Sequence, residues 1–278
     1  MTLHPIETGF FKLDGGAMFG VVPKSIWQKI NPPDENNLCS WAMRCLLVED
    51  GKRLILIDNG IGDKQDAKFL QHYYLHGDDN LMKSIRRSGF SETDITDMFL
   101  THLHFDHCGG SIKKEGEKLM LTFPNATYWS NEDHWKWATV PNPREKASFL
   151  KENILPIQES GHLKMLDPGK DSPLNAFKIF YASGHTDKMM LPMIPYKGKT
   201  LCFMADLIPS VAHIPLPYVM GYDTRPLITM EEKAIFLKEA ADNHYILYFE
   251  HDPVYECCTV KTTEKGVRLD QTFKFSEI

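Results

Sequence analysis

Hydrophobic runs along this chain are short, and many of them stop abruptly on a charged residue or a histidine. Residues 9–22, GFFKLDGGAMFGVV, read as a hairpin turning at Asp14-Gly15-Gly16. Residues 25–30 predict a short helical turn closed by Pro32-Pro33. Residues 41–48 and 53–57 read as paired strands around Asp50-Gly51, and the second runs into Asp58-Asn59-Gly60. Residues 66–87 are amphipathic and predict two helical segments broken near Gly77-Asp78-Asp79, with Gly89 ending the second. Met98-Phe99-Leu100 has the pattern of a buried strand and delivers the chain to Thr101-His102-Leu103-His104-Phe105-Asp106-His107-Cys108-Gly109-Gly110.

Beyond that stretch, 123–129 reads as a short strand, and Ser130 is expected to cap a helix starting NEDHWKW. Asn142-Pro143 is expected to open a further helix over 144–153. The region of about 130–165, rich in Trp, His and Phe, is read either as a lid over a substrate pocket or as a helical pair closing the core. In the second half, 177–181 predicts a strand ending at Ser183-Gly184-His185-Thr186-Asp187, and 200–204 another ending at Ala205-Asp206. Thr229-Met230-Glu231-Glu232 has the form of a capping box for a helix over 231–243. Residues 245–249 then form a buried strand that delivers Glu250-His251-Asp252.

At 278 residues, with 42% hydrophobic and 24% charged positions, the chain has the composition of a globular protein able to bury a sizeable core. It is read as one domain over 1–278. A net charge of −6 offers no general attraction to phosphate backbones and argues against nucleic acid as a partner. No run approaches the roughly 20 apolar residues of a membrane span. The N-terminus has no basic segment followed by an apolar one, which fits a cytoplasmic protein or a processed secreted one. The six cysteines contain no C-x-x-C pair and fit a reducing compartment. Adjacent Cys257 and Cys258 read as two small apolar residues at a strand end, with a redox pair as the alternative.

The H-x-H-x-D-H order places four metal-binding groups within six residues. In extended backbone, positions 102, 104 and 106 project to one side, so His102 and His104 can share an ion while a turn presents Asp106 and His107 to a second. Imidazole and carboxylate suit two divalent ions, Zn²⁺ first, with Fe, Mn or Co as alternatives. Three later strand endings add His185, Asp206 and His251. His102, His104 and His185 then serve one ion, Asp106, His107 and His251 the other, and Asp206 bridges them. Asp58, at a strand end, can accept the second ring N–H of a liganding histidine, or is a plain turn carboxylate. Two such ions share a hydroxide at neutral pH, a nucleophile for an ester, lactone, thioester, amide or phosphoester.

From about residue 40 to 252 these motifs resemble the metallo-β-lactamase superfamily. The resemblance implies an α/β fold, an αββα four-layer sandwich of two similar halves with the metal site at one edge of the sheets. Asp206 resembles the bridging ligand of the dinuclear hydrolases, where the commonest true lactamases have cysteine, and this disfavours penicillin hydrolysis. The Gly-Ala-Met-Phe-Gly segment and the run from Asp206 to Asp223 resemble the branch of N-acyl-homoserine lactone lactonases and methyl-parathion-type phosphotriesterases.

The chain departs from that branch at Lys188-Met189-Met190, where a second Gly and His are usual, and at Pro209, where many lactonases have a tyrosine. His213 is therefore the expected carbonyl donor beside catalytic Asp106, or else a loop histidine packed under Pro215 and Pro217. Tyr218 and Tyr222 are the other donor candidates. Trp135 and Trp137 are expected to line a pocket for the apolar part of a small-molecule substrate. A homodimer is an open possibility for the assembly. The expected activity is opening of a lactone ring, N-acyl-homoserine lactone above all, by the bridging hydroxide. Phosphotriester or aryl-ester hydrolysis is the alternative, and a mononuclear iron sulfur dioxygenase a third reading.

Overall fold

The computed structural model describes residues 1–168, 174 and 177–278. The chain divides into two compact units, Met1–Gly9 with Met43–Asn175, and Phe10–Ala42 with Ala176–Ile278. In chain order its elements are β1 (Thr2–Asp14), α1 (Gly15–Phe19), α2 (Lys24–Trp27), β2 (Leu38–Asp50), β3 (Arg53–Ile57), α3 (Ala67–Leu70), α4 (Leu81–Arg87), β4 (Asp97–Phe99) and α5 (Phe105–Cys108). The hairpin β5 (Ile112–Glu115) and β6 (Lys118–Leu121) follows, then β7 (Thr127–Asn131), α6 (Glu132–Thr139), α7 (Lys151–Glu159) and β8 (Leu163–Leu166). The remainder holds β9 (Lys178–Ala182), β10 (Met189–Tyr196), β11 (Lys199–Phe203), α8 (Pro226–Asp242), β12 (Ile246–Tyr248), β13 (Cys257–Thr263) and β14 (Gly266–Phe273).

Among the described residues these form two six-stranded sheets, in the orders β1-β2-β3-β4-β7-β8 and β14-β13-β12-β11-β10-β9, beside the β5-β6 hairpin. In the first, β3, β4, β7 and β8 are mutually parallel, so the chain leaves β3, β4 and β7 at one edge. Asp58 and the His102–His107 stretch follow the first two of those strands, and Asn131 ends the third. The ladder continues past the short strands, with Asp58 N–H donating to Phe99 O at 3.0 Å and Leu100 N–H to Trp129 O at 3.1 Å. In the second sheet β11 and β12 are parallel, joined by a crossover through α8. Because β9 is antiparallel to β10 and β10 to β11, β9 runs the same way as β11. His185, Asp206 and His251 therefore emerge at one edge of that sheet, and ligands in α/β sheets gather at such carboxyl ends. Among the described residues no helix is long and apolar enough to cross a membrane.

Four local expectations are corrected. Residues 9–22 are not a hairpin: β1 runs to Asp14, whose carboxylate accepts from Ala17 N–H at 2.8 Å and caps α1. The cap of α6 is Asn131 rather than Ser130, its side chain accepting from His134 N–H at 2.9 Å. The helix expected over 144–153 instead spans Lys151–Glu159. Asn142 Oδ1 takes the amides of Arg144 and Glu145, and the Ser148 carbonyl is taken by Phe105 N–H at 3.0 Å, which closes one turn and stops. Finally, α8 begins at Pro226, in the first turn where a missing N–H costs nothing, and Thr229 lies inside it. Glu232 is unavailable for a capping box, because its carboxylate accepts Ser183 N–H at 2.6 Å and Gly184 N–H at 2.9 Å.

Segment 132–159 closes a core. Trp135, Ala138, Phe149, Ile154 and Ile157 belong to the same buried cluster as Leu47, Leu56, Met98 and Leu100 of the first sheet. Its packing is that of an interior element, with Trp135 only 6% exposed. The Trp135→Ala variant is thus expected to lose about 3–5 kcal/mol of unfolding free energy in urea denaturation, the cost of a large buried aromatic. A shift of only a few tenths would mean that the ring contributes nothing to the core.

Candidate metal centre

The histidine loop begins where β4 ends, and its backbone is bound before its side chains act. Asp58, fully buried and in the left-handed region at φ 54°, accepts Thr101 N–H at 2.8 Å and the Thr101 hydroxyl at 2.6 Å. It also faces His107 Nδ1 at 3.1 Å. A carboxylate can only accept, so His107 carries its proton on Nδ1 and turns the Nε2 lone pair away from Asp58. The Thr101 hydroxyl has spent its proton on Asp58 and accepts from His102 Nδ1 at 3.0 Å, which leaves the lone pair of His102 on Nε2. After His104 the chain turns into the single helical turn α5, which carries Asp106 and His107. Extended backbone therefore runs only as far as His104, and Asp106 is placed by a helix. The turn is tight at Gly109, where a Cβ would come within 2.1 Å of the Ile61 carbonyl.

The 131–150 segment braces this loop. His134, fully buried, accepts Leu103 N–H on Nε2 at 2.9 Å. Glu145, 3% exposed, faces His104 Nε2 with Oε1 at 3.4 Å, and the Phe149 ring packs on the His104 ring at 4.8 Å between centroids. Neither His134 nor Glu145 carries a motif signal. They were missed because both lie outside the H-x-H-x-D-H pattern, and only the return of the chain past Asn142 brings Glu145 to the loop.

In the other unit Asp206 follows Ala205, which sits at φ 40°, and its two oxygens point to different histidines. Oδ2 lies 3.1 Å from His185 Nε2, and Oδ1 lies 3.1 Å from His251 Nε2. The far nitrogens are committed. His185 Nδ1 donates to Asp223 Oδ1 at 2.9 Å, and His251 Nδ1 to the Ala42 carbonyl at 2.8 Å. Asp223, 2% exposed, is a second functional residue that reading strand ends did not find, since it lies 38 positions from its partner. Gly184 allows the strand ending to pass the helix, because a Cβ there would meet Thr229 N at 2.3 Å.

Each half-set brings ring nitrogens or carboxylate oxygens close to one another. His102 Nε2 and His104 Nδ1 are 3.1 Å apart, and Asp206 meets two imidazole nitrogens whose protons are placed elsewhere. Such contacts repel unless a proton or a cation lies between them. Two nitrogens at about 2.0–2.1 Å from one tetrahedral zinc stand about 3.3 Å apart, close to the observed spacing. The residues fit a divalent ion. Burial works against a charge on His185, but Asp206 and Asp223 outweigh it and hold the ring up at about 10, so a proton takes the cation's place when no ion is bound. Asp106 and His107 offer ligand atoms within 4.8 Å of each other, as do His185 and Asp206.

The donor role expected of His213 is corrected. The ring is 1% exposed, its Nε2 donates to the Met18 carbonyl at 2.8 Å, and its Nδ1 accepts from the Ser210 hydroxyl at 2.8 Å. It stacks on Phe19 at 4.6 Å, and burial, aided by the Lys233 ammonium, drives it down to about 3. Both nitrogens are used, so no N–H remains for a substrate. Tyr218 is half-buried and Tyr222 is exposed. Trp135 belongs to the core, and Trp137 is half-buried with its indole N–H donated to Glu145 Oε2 at 2.6 Å.

Comparison with known proteins agrees with this chemistry. The sequence profile of the metallo-beta-lactamase superfamily matches residues 44–251. No curated protein matches in sequence. A probable metal-dependent hydrolase from Staphylococcus aureus is similar in structure with a TM-score of 0.85 and 28% identity, over 98% of this chain and 96% of that one. The dizinc quorum-quenching lactonase AidC is similar at a TM-score of 0.80 and 24% identity, over 98% and 95% of the two chains. An N-acyl homoserine lactone hydrolase with product bound at its metal center reaches 0.70 at 18% identity, over 90% and 93%. At the two lower identities the likeness is one of fold. With that match, and with histidine–aspartate clusters of metal-binding type in both units, the chain belongs to the metallo-beta-lactamase superfamily and is a metal-dependent hydrolase.

Proposed function

We propose that this protein is a dinuclear hydrolase that opens lactone rings, with N-acyl-homoserine lactones as its best substrates. The observation that carries the metal centre is the acceptor behind each of His102, His104, His107, His185 and His251, which faces one ring nitrogen and turns the other toward neighbouring groups of ligand type. His102, His104, Asp106 and His107 on one unit, and His185, Asp206 and His251 on the other, would be the ligands of two ions, most suitably Zn²⁺. When bound, such ions supply Lewis acidity and bring the pKa of water toward neutrality. Asp58 and Asp223 hold His107 and His185 in the tautomer that ligates. Asp106 keeps slight exposure, at 9%, and serves to pass a proton to the alkoxide that leaves the opened ring. The lactone reading is supported by the likeness to AidC and to the N-acyl homoserine lactone hydrolase. With His213 committed, Tyr218 and Tyr222 are the remaining phenol donors for the substrate carbonyl.

Protein loaded with Zn²⁺ or Co²⁺ is expected to release acid from homoserine lactones of varied acyl length, and to cleave an aryl phosphotriester slower by decades. Acid release from no lactone, or a faster phosphotriester rate, overturns the substrate class. His104→Ala is expected to lose at least one ion per chain by elemental analysis and nearly all turnover. Retention of both ions with activity would refute the ligand assignment.

His213 is expected to affect stability instead of the carbonyl. Its folded-state value near 3 lies below the unfolded 6.5, so its contribution is complete above about 6.5 and is lost as pH falls toward 3. In His213→Gln the fall in urea midpoint across that window should be shallower than in the unaltered protein, with metal content unchanged. Equal slopes in the two proteins would remove the assigned role.

A further inference from the structure

We propose that Glu145 is a positioning residue that fixes which nitrogen of His104 faces the metal centre. The inference rests on the metal-hydrolase reading and concerns a residue outside the ligand set. Three donors meet its buried carboxylate. Oε1 faces His104 Nε2 at 3.4 Å, while Oε2 accepts the Trp137 indole N–H and the Asn142 amide N–H, each at 2.6 Å. The backbone around it is also held, with Glu145 N–H donating to Asn142 Oδ1 at 3.2 Å and Ser148 N–H to the Glu145 carbonyl at 2.8 Å. An acceptor so placed puts the His104 proton on Nε2. The lone pair is then on Nδ1, the nitrogen 3.1 Å from His102 Nε2.

The geometry makes the isosteric amide more harmful than its size suggests. In Glu145→Gln one oxygen must still accept from Trp137 and Asn142, because an NH₂ turned toward two N–H donors would lose both bonds. The NH₂ group then faces His104 Nε2 and donates to it. His104 is left with a lone pair on Nε2 and a proton on Nδ1, directed at His102. A metal ligand would become a hydrogen-bond donor with no change of shape. Through Trp137 and Asn142, helix α6 and the turn after it thereby set the chemistry of a side chain on the loop that follows β4.

The test reads tautomer and affinity apart from activity. Nitrogen-15 NMR of the ring nitrogens in metal-free protein should show His104 protonated on Nε2, and on Nδ1 in Glu145→Gln. Zinc affinity of Glu145→Gln, from chelator competition, should fall about 10–100-fold, and Glu145→Ala should fall no further. Thermal unfolding of metal-free Glu145→Gln should stay close to that of the unaltered protein, since its side-chain oxygen still accepts from Trp137 and Asn142. Unaltered zinc affinity in Glu145→Gln, or a proton on Nδ1 in the unaltered metal-free protein, overturns the proposal. The second measurement needs no variant and decides the matter even if Glu145→Gln does not fold. If the unaltered protein binds no zinc, the hydrolase reading fails, and the tautomer measurement still reports on Glu145.

Discussion

The chemistry of this protein depends on one kind of interaction, an acceptor behind each histidine that fixes its proton and turns the opposite lone pair inward. Asp58 does this for His107, Thr101 for His102, Glu145 for His104, Asp223 for His185 and the Ala42 carbonyl for His251. These acceptors differ in type, yet each turns the opposite nitrogen of its ring toward a neighbouring histidine or carboxylate. The same arrangement explains why His185 is held protonated by Asp206 and Asp223 when no ion is bound.

Placing those acceptors requires parallel strands. Because β3, β4 and β7 point the same way, Asp58 and the histidine loop leave the sheet at a common edge, and β9, β11 and β12 do the same for His185, Asp206 and His251. Left-handed backbone at Asp58 and Ala205 marks where each strand is turned sharply to present a carboxylate. The 131–150 segment supplies the remaining support, through His134 to a backbone amide and through Glu145 and Phe149 to the His104 ring. The aromatic residues there that suggest a lid include Trp135 and Phe149, which are buried in the core instead.

The failures of local reading share a cause. Asp14, Asn142 and Glu232 are polar groups whose short-range roles looked complete from neighbouring residues. Asp14 caps a helix where a hairpin turn was expected, Asn142 closes a single turn, and Glu232 reaches back some 49 positions to Ser183. His213 is the sharpest instance. Seven residues past Asp206 it looked like a substrate donor, but its two nitrogens are taken by Ser210 and by Met18, 195 positions away.

The order of residues by itself determined the alternation of sheet strands, the H-x-H-x-D-H loop and the strand endings at His185, Asp206 and His251. These are features of spacing and side-chain type, and an apolar strand that stops on a ligand is visible without any contact. Tertiary structure alone decided which nitrogen of each ring meets an acceptor, that His213 is a packed core histidine, and that Glu145 and Asp223 face His104 and His185. Those outcomes depend on hydrogen-bond partners brought together across tens of residues, where a proton's position is set by the acceptor it meets and not by its neighbours in the chain.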